Sequence, residues 1–385
     1  MPKPCILQVI PALHSGGAEK TAVDVALAVR KMGWNAVVAS AGGRLADQLE
    51  KHGINHVTLP LESKNPYVIW RNVARLQSVI HKYGVNIVHA RSRAPAWAAL
   101  FAARRAKIPF VTTYHGAYGQ TNRIKALYNS VMARGDVVIA NSQWTAELIA
   151  ERHPDRKESI VAIARGTDFS QFEPSKVSAE RMQRITDQWN IPKGKFIALH
   201  LARISPLKDQ LNVVAAASIL SNESDDIYYI FAGDHRGREA YLEKLKREIS
   251  SAGLADTMII PGYCDDPPAA LAVADVVLST SRSPETFGRV AVEASALETP
   301  VIVTKLGAVG ETVLATPEVP SSKRTGWKIK HSNPPALADA ILEVKGLTTA
   351  QLEQVGRNGR AYVLNQFSLQ QMCDKTIRVY ETLLN

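Results

Sequence analysis

Two doubly wound α/β domains, each a parallel sheet wrapped by helices, are what this sequence predicts, and three observations carry that expectation. Short β-branched, apolar runs alternate with helical segments along nearly the whole chain. The alternation breaks once, over the polar stretch 153–195 punctuated by Pro154, Pro174 and Pro192. At 385 residues the chain is also too long for one ordinary core, which makes two domains the natural division.

The elements follow in order. Residues 5–10 read as a first buried strand, and Gly16-Gly17 opens a helix carrying Val23 and Leu27, so that backbone can come close to a bound group there. The turn is neither a Walker motif nor a dinucleotide G-x-G-x-x-G. Strands are expected at 36–40, 56–59, 85–89, 110–113 and 137–140, with helices near 45–51, 67–83, 96–106, 124–133 and 146–152. Two strands end in histidine, at Asn86-Ile87-Val88-His89 and Val111-Thr112-Thr113-Tyr114-His115, and a histidine at a strand's carboxyl end is well placed to meet a hydroxylated ligand. Asn141-Ser142 offers an N-cap for the helix that follows. The second series starts at Phe196. Its first strand runs into Arg203-Ile204-Ser205-Pro206-Leu207-Lys208, where a planar fork and a point charge suit one diphosphate. Strand 227–232 ends in Gly233-Asp234, strands follow at 258–260, 274–280 and 301–304, and Pro335 opens one of the last three helices.

The second half is organised around Ser283-Pro284-Glu285-Thr286-Phe287-Gly288-Arg289-Val290-Ala291-Val292-Glu293. The strand 274–280 precedes it, and Val290, Ala294 and Leu297 recur at helical spacing until Pro300. Glu285 therefore falls in a loop leaving a strand and Glu293 inside a helix, so the two carboxylates can reach different parts of one long ligand. The free N–H groups at the helix start suit a phosphate.

Composition narrows the classes further. Apolar content of 46% with 21% charged residues is that of a globular protein. Cys5, Cys264 and Cys373 are too few and too dispersed for a disulfide framework or a zinc site, so a reducing cytoplasm is expected, and no window approaches a membrane span. The start of the chain lacks the pattern of a signal peptide. Net charge is +10, and no acidic residue falls between Glu62 and Asp136, where Arg71, Arg75, Arg104, Arg105, Arg123 and Lys125 are among the cations. Trp70, Trp97, Phe101, Tyr118 and Tyr128 are interleaved with them. Anionic lipid or an anionic glycan fits such a face. Nucleic acid fits it least, because no helix-turn-helix, ribonucleoprotein or zinc-finger pattern accompanies the charge.

Taken together, Gly16-Gly17-Ala18-Glu19, Val88-His89-Ala90, Thr113-Tyr114-His115-Gly116, Asn141-Ser142, Arg165-Gly166-Thr167-Asp168, Arg203 to Lys208, Gly233-Asp234, Glu285-x7-Glu293, and Gly307 with Gly310-Glu311 stand in an order that resembles the family 4 glycosyltransferases over essentially the whole chain. The resemblance implies the GT-B fold, two Rossmann-like domains facing a central cleft. It places an acceptor domain at 1–175, a linker at 176–195 and a donor domain at 196–367, with a terminal helix 368–385 packing back on the first domain. It implies a retaining hexosyltransferase using a UDP- or GDP-sugar. Glu293 would hold ribose hydroxyls, Glu285 with Phe287 and Gly288 the sugar, Arg203 and Lys208 the leaving diphosphate, and Gly233 and Asp234 would join the donor site. His115 would position the sugar, and Gly16 and Gly17 would sit near phosphate or acceptor.

No Asp-x-Asp is present and no metal or other cofactor is expected, since the Arg and Lys pair takes the place of a divalent ion. Thr286, Arg289 and Arg165 depart from the family's usual residues, and Arg289 is expected to add a phosphate or sugar contact. The basic N-terminal half would rest on an anionic inner leaflet and receive a lipid-linked or polysaccharide acceptor of the cell envelope, lipopolysaccharide included. The competing readings are a non-catalytic nucleotide-sugar or glycan binding protein, and a sugar-nucleotide epimerase or phosphorylase on the same architecture.

Overall fold

In the computed structural model, residues 3–14, 17–116, 118–119, 122–221, 224 and 226–385 are described. The chain divides into two compact units, Met1–Gly166 with Leu369–Asn385, and Thr167–Ser368.

Among the described residues the first unit holds a seven-stranded sheet of β1 (Cys5–Val9), β2 (Asn35–Ser40), β3 (Asn55–Thr58), β4 (Ile87–Ala90), β5 (Phe110–Tyr114), β6 (Val137–Ala140) and β7 (Ile160–Ala162), in the order β3-β2-β1-β4-β5-β6-β7. Every pairing is parallel. The central strands β1, β4, β5 and β6 are buried on both sides because helices cover both faces. On one face Val73, Leu76 and Ile80 of helix Pro66–Tyr83 pack with Ala99 and Ala103 of helix Arg93–Ala106. On the other, Val25 and Val29 of helix Gly17–Lys31 pack with Ile377 and Tyr380 of helix Leu369–Leu384. Local chemistry sets the helix ends. Asn65 accepts from Tyr67 N at 2.9 Å, Pro66 supplies the first turn, and Gly84 at φ 59 closes the helix. Ser142 likewise accepts from Thr145 N at 3.0 Å to cap helix Gln143–Arg152.

The second unit repeats the plan with β8 (Phe196–Leu201), β9 (Ile227–Ala232), β10 (Met258–Gly262), β11 (Val276–Ser279), β12 (Val301–Thr304) and β13 (Trp327–Ile329), in the order β10-β9-β8-β11-β12-β13. Its strands are parallel throughout. Strand order reverses direction beside β8, between β8 and β11, and in open α/β sheets ligands bind outside the carboxyl ends of the strands at that point. The corresponding reversal in the first unit lies between β1 and β4.

The stretch 176–195, expected as a linker, instead belongs to the second unit and contains helix Ala179–Gln188. Arg181 and Arg184 both reach Asp266, the residue that caps helix Pro267–Val273, and Ile185 is fully buried beneath them. The helix is polar on most of its surface, so in sequence it read as connection rather than structure. Strands β7 and β13 and helix Pro267–Val273 also lay outside the expected set. The two strands are only three residues long, and Val161 and Ala162 of β7 are exposed, so neither shows the apolar run that marks the central strands.

Candidate functional site

The carboxyl ends of β8 and β11 carry two loops that are stitched together at the strand-order reversal of the second unit. Arg282 N donates to Leu207 O at 3.0 Å, and Thr280 Oγ1 donates to Lys208 O at 3.1 Å. His200, at the end of β8, places Nε2 3.1 Å from the same carbonyl. A carbonyl only accepts, so the imidazole carries its proton on Nε2. Burial, then the nearby Lys208 ammonium, push its pKa down to about 4, and the ring is neutral at physiological pH. Its other face meets Phe231 edge-on at 5.9 Å.

Above this floor, Lys208 Nζ lies 2.7 Å from Glu285 Oε1, and Ser281 Oγ donates to the same carboxylate oxygen. Both charged side chains keep about a quarter of their surface exposed, at 28% and 24%, so they remain reachable by a ligand. The loop bearing Glu285 is pinned through its backbone. Glu285 bridges to Gly307, and its carbonyl accepts from Ala308 N at 2.7 Å. Gly307 sits at φ +69, where an added Cβ would stand 2.5 Å from Glu285 O, so only glycine lets these strands of backbone meet.

Helix Arg289–Ala296 starts directly after Gly288, itself at φ +94 and with Val309 Cγ2 only 2.6 Å from where a Cβ would be. Its first N–H groups have no partners within the helix and its positive end faces the loop. His200, Lys208, Ser281, Glu285, Gly288 and Arg289 line a cavity of about 80 Å³. One turn along, Glu293 is largely enclosed at 13% side-chain exposure, and Arg289 Nε approaches its Oε1 to 4.0 Å.

The structure thus gathers Lys208, Glu285, Gly288 and Arg289 at one cavity, with Glu293 a turn beyond. Phe287 turns inward instead, 6% exposed, with its ring edge on Phe367 at 5.5 Å. Arg203 is exposed on the same loop as Lys208, and its carbonyl accepts from Gln210 Nε2 at 3.0 Å. Gly233 lets two strand ends touch, since a Cβ there would fall 1.9 Å from Ala202 O. Asp234 closes a local ion pair with Arg236 at 2.7 Å, whose hydrogen bonds hold its carboxyl down at about 2. His200, Thr280 and Ser281 were not singled out in the sequence. Their signal was position alone, each at or just past the carboxyl end of a strand flanking the reversal.

The remaining predicted residues belong to the first unit, except Gly16, which lies outside the described residues. Gly17 opens its helix with the Arg165 guanidinium laid against it, so close that a Cβ would be 1.5 Å from Nη2. His115 follows β5, and burial together with Arg91 and Arg165 holds its pKa well below the ordinary value. His89 is a framework residue. Fully buried, it bonds Tyr380 Oη at 2.6 Å and Thr113 Oγ1 at 2.7 Å, which ties the last helix to the sheet. Among the described residues no three His, Cys, Asp or Glu side chains converge as a metal cage.

Comparison with known proteins agrees with this architecture. Residues 15–171 match the profile of Glycosyltransferase Family 4, and residues 182–362 that of Glycosyl transferases group 1. A solved glycosyltransferase from Rickettsia africae ESF-5 is 32% identical, superposes with a TM-score of 0.88, and is matched over 100% of this chain and 99% of its own. Anabaena Alr3699/HepE in complex with UDP shares the fold at a TM-score of 0.82 and 22% identity, over 98% of this chain and 100% of that one. Among curated relatives, the D-inositol 3-phosphate glycosyltransferase of Jonesia denitrificans is 26% identical over 81% of this chain and 75% of its own length. The alpha-monoglucosyldiacylglycerol synthase of Streptococcus pneumoniae is 25% identical over 60% of this chain, which spans only 55% of that synthase.

Proposed function

Because the chain belongs to the family 4 glycosyltransferases of the GT-B fold, we propose that it is a retaining hexosyltransferase that takes its sugar from a UDP- or GDP-sugar. The observation that carries this reading is the Lys208–Glu285 pair at the mouth of a helix N-terminus, on the ligand-binding edge of the second sheet. A diphosphate arriving there meets Lys208, exposed Arg203, and the N–H groups after Gly288. Lys208 then exchanges part of its contact with Glu285 for phosphate oxygen, and Glu285 is released to accept from sugar hydroxyls. Glu293 takes the ribose hydroxyls, with Arg289 beside it as a further phosphate or sugar contact.

The chemistry follows from where charge develops. As the bond between the anomeric carbon and the diphosphate oxygen lengthens, negative charge grows on the leaving group and positive charge on the sugar ring. Lys208 and Arg203 stabilise the first in a partly enclosed site, and Glu285 the second. The acceptor hydroxyl forms its bond on the face the diphosphate leaves, and its proton passes to a departing phosphate oxygen, so configuration is kept and no divalent ion is needed. His200 holds the Lys208 backbone in place, and its neutrality adds no competing cation. In the first unit, neutral His115 is assigned to a sugar hydroxyl, and Gly16 and Gly17 to phosphate or acceptor.

The acceptor we propose is a lipid-linked or polysaccharide glycan of the cell envelope, met by a cytoplasmic protein that rests on an anionic membrane surface through its acid-free N-terminal segment. Among the described residues no helix is long and apolar enough to cross a membrane, so the contact proposed is peripheral.

Incubation with UDP- and GDP-hexoses and a membrane extract, followed by NMR assignment of the new anomeric signal, tests the reading. The expected product keeps the donor's configuration. Glu285→Gln is expected to lower kcat/KM about 100-fold or more, the scale on which removing one transition-state charge partner acts. Nucleotide-sugar turnover without any acceptor product would favour an epimerase, and donor binding without turnover a binding protein.

A further inference from the structure

Outside the donor site, the first unit carries a groove of about 490 Å³ lined by Leu100, Phe101, Arg104, Arg134, His153, Asp155 and Arg156. We propose that this groove is a headgroup site for an anionic phospholipid, holding the lipid phosphate between guanidinium groups while Phe101 and Trp97 lie against the upper acyl chain. The inference rests on the membrane reading above and deepens it from a charged face to one defined pocket.

Three observations carry it. First, the groove has donors to spare. A guanidinium offers five N–H groups. Arg104 directs two at Asp136, Arg156 two at the carbonyls of Ala133 and Gly135, and Arg134 one at Ser130 Oγ. The remainder point to no protein acceptor among the described residues, and His153 Nε2 is buried there without a partner. The two aspartates, Asp136 and Asp155, leave the three arginines a net positive charge. Planar forks of this kind suit phosphate oxygens in pairs.

Second, one wall is aromatic and accessible. Phe101 is 49% exposed and stacks on Trp97 at 5.9 Å, while Arg134 lies over the Trp97 ring at 5.2 Å. An aromatic with a cation on one side and an open apolar edge on the other is the arrangement favoured at a bilayer interface.

Third, the groove belongs to a wider face of the same character. Helices Pro66–Tyr83 and Arg93–Ala106 and the segment that follows Arg123 share one hydrophobic layer against one side of the first sheet. On the outside of this layer Tyr67, Trp70, Ile124 and Leu127 are exposed by 61%, 66%, 82% and 59%, and Arg71, Arg105, Lys107, Arg123 and Lys125 of the same helices and segment are exposed with them. Exposed aromatic and aliphatic side chains on elements drawn from a stretch without acidic residues complement an anionic lipid surface, where an anionic glycan would leave the apolar side chains unpaired. The groove volume falls in the range of small-molecule sites, which suits one phosphoglycerol headgroup.

The test has two arms. In flotation, the full chain is expected to partition onto phosphatidylcholine vesicles carrying phosphatidylglycerol and not onto phosphatidylcholine alone. Arg134→Glu should weaken that partition about 30-fold, from about 1 kcal/mol for each of two charge units near the surface. In solution, dioctanoyl phosphatidylglycerol below its micellar concentration should give saturable quenching of tryptophan fluorescence, lost in Arg134→Glu and in Phe101→Ser but kept within about twofold in Lys244→Glu, whose exposed charge belongs to the second unit. Inorganic phosphate that displaced the lipid completely would reassign the groove to a free anion. Unchanged UDP-induced thermal shifts in the variants show that they are folded.

If the parent floats with anionic vesicles but the groove variants bind short-chain lipid as it does, the groove proposal fails and the membrane reading stands. If the parent does not float at all, both fail. The transferase reading is then judged separately by its nucleotide binding.

Discussion

Lys208 and Glu285 pair with one another in the structure, and under the proposed function the same contact opens to receive the donor. At 2.7 Å the pair neutralises itself, so a cation and a carboxylate can wait in a partly enclosed site without the full cost of an unpaired charge. His200 beneath them shows the other solution to burial, which is to stay uncharged. Its pKa stands near 4 against an ordinary 6.5 because burial dominates and the Lys208 ammonium adds to it. The unfolded chain therefore binds the proton that the folded chain refuses. Below pH 6.5 the unfolded state gains protons relative to the native one, so this histidine's share of stability is intact above pH 6.5 and is lost as pH falls toward 4. The slope is about 1.4 kcal/mol per pH unit per histidine. His89 and His115 act in the same direction. Urea unfolding between pH 7 and pH 5 is expected to show stability falling with pH, and His200→Asn to shrink that slope by about one proton's worth. A slope that His200→Asn leaves untouched would mean that the ring is charged in the folded protein.

At the scale of elements, the loop between β11 and the helix at Arg289 is held by backbone rather than by side chains. Gly307→Ala adds a Cβ 2.5 Å from Glu285 O at φ +69 and is expected to destabilise the protein by about 2–3 kcal/mol and to weaken UDP or GDP binding at the same time. Gly33→Ala is the control, for Gly33 also has positive φ, at +84, but nothing within 4 Å of the added atom, so its expected cost is about 1 kcal/mol and its nucleotide affinity unchanged. Chemical denaturation with calorimetry reads both, and equal costs would show that φ alone, not the close approach, matters at Gly307. The elements differ in how openly the sequence declares them. The runs at 137–140, 227–232 and 301–304 coincide with β6, β9 and β12 because a doubly covered strand must be apolar at every position. The helix Ala179–Gln188 was missed although Ser178 caps it and Met182, Ile185 and Trp189 recur at helical spacing, because its narrow apolar face is outnumbered by polar residues, and the Arg181 and Arg184 contacts with Asp266 that fix it are brought together only by the fold.

At the scale of the molecule, the fold class and the succession of two parallel sheets were legible because periodicity and turn chemistry are local properties of the sequence. The site was legible in part, for a different reason. Glu285 and Glu293 could be placed on a loop and a helix from the pattern around them, whereas the meeting of Lys208 with Glu285, and the position of His200 under both, depend on which strands are neighbours. Nothing in the spacing of residues 77 apart announces a contact. The first unit shows the same limit. His89 and His115 look alike in sequence, each at the end of an apolar strand, yet His89 is consumed by Tyr380 and Thr113 as a strut for the last helix. The absence of acids between Glu62 and Asp136, by contrast, is a property of the sequence itself, and it led to the face on which the lipid groove lies.

The proposed function turns on the diphosphate of a bound nucleotide being held at Lys208 and Glu285. Thermal unfolding of the whole chain with UDP, GDP and ADP, run beside Lys208→Ala, tests it most directly. A nucleotide at 100 times its dissociation constant stabilises by about 2.7 kcal/mol, a shift of several degrees for a protein of this size. The account predicts that UDP or GDP raises the melting temperature of the parent by that amount and leaves Lys208→Ala nearly unmoved. An equal shift in parent and variant would place the diphosphate elsewhere, and no shift with any nucleotide would contradict the account.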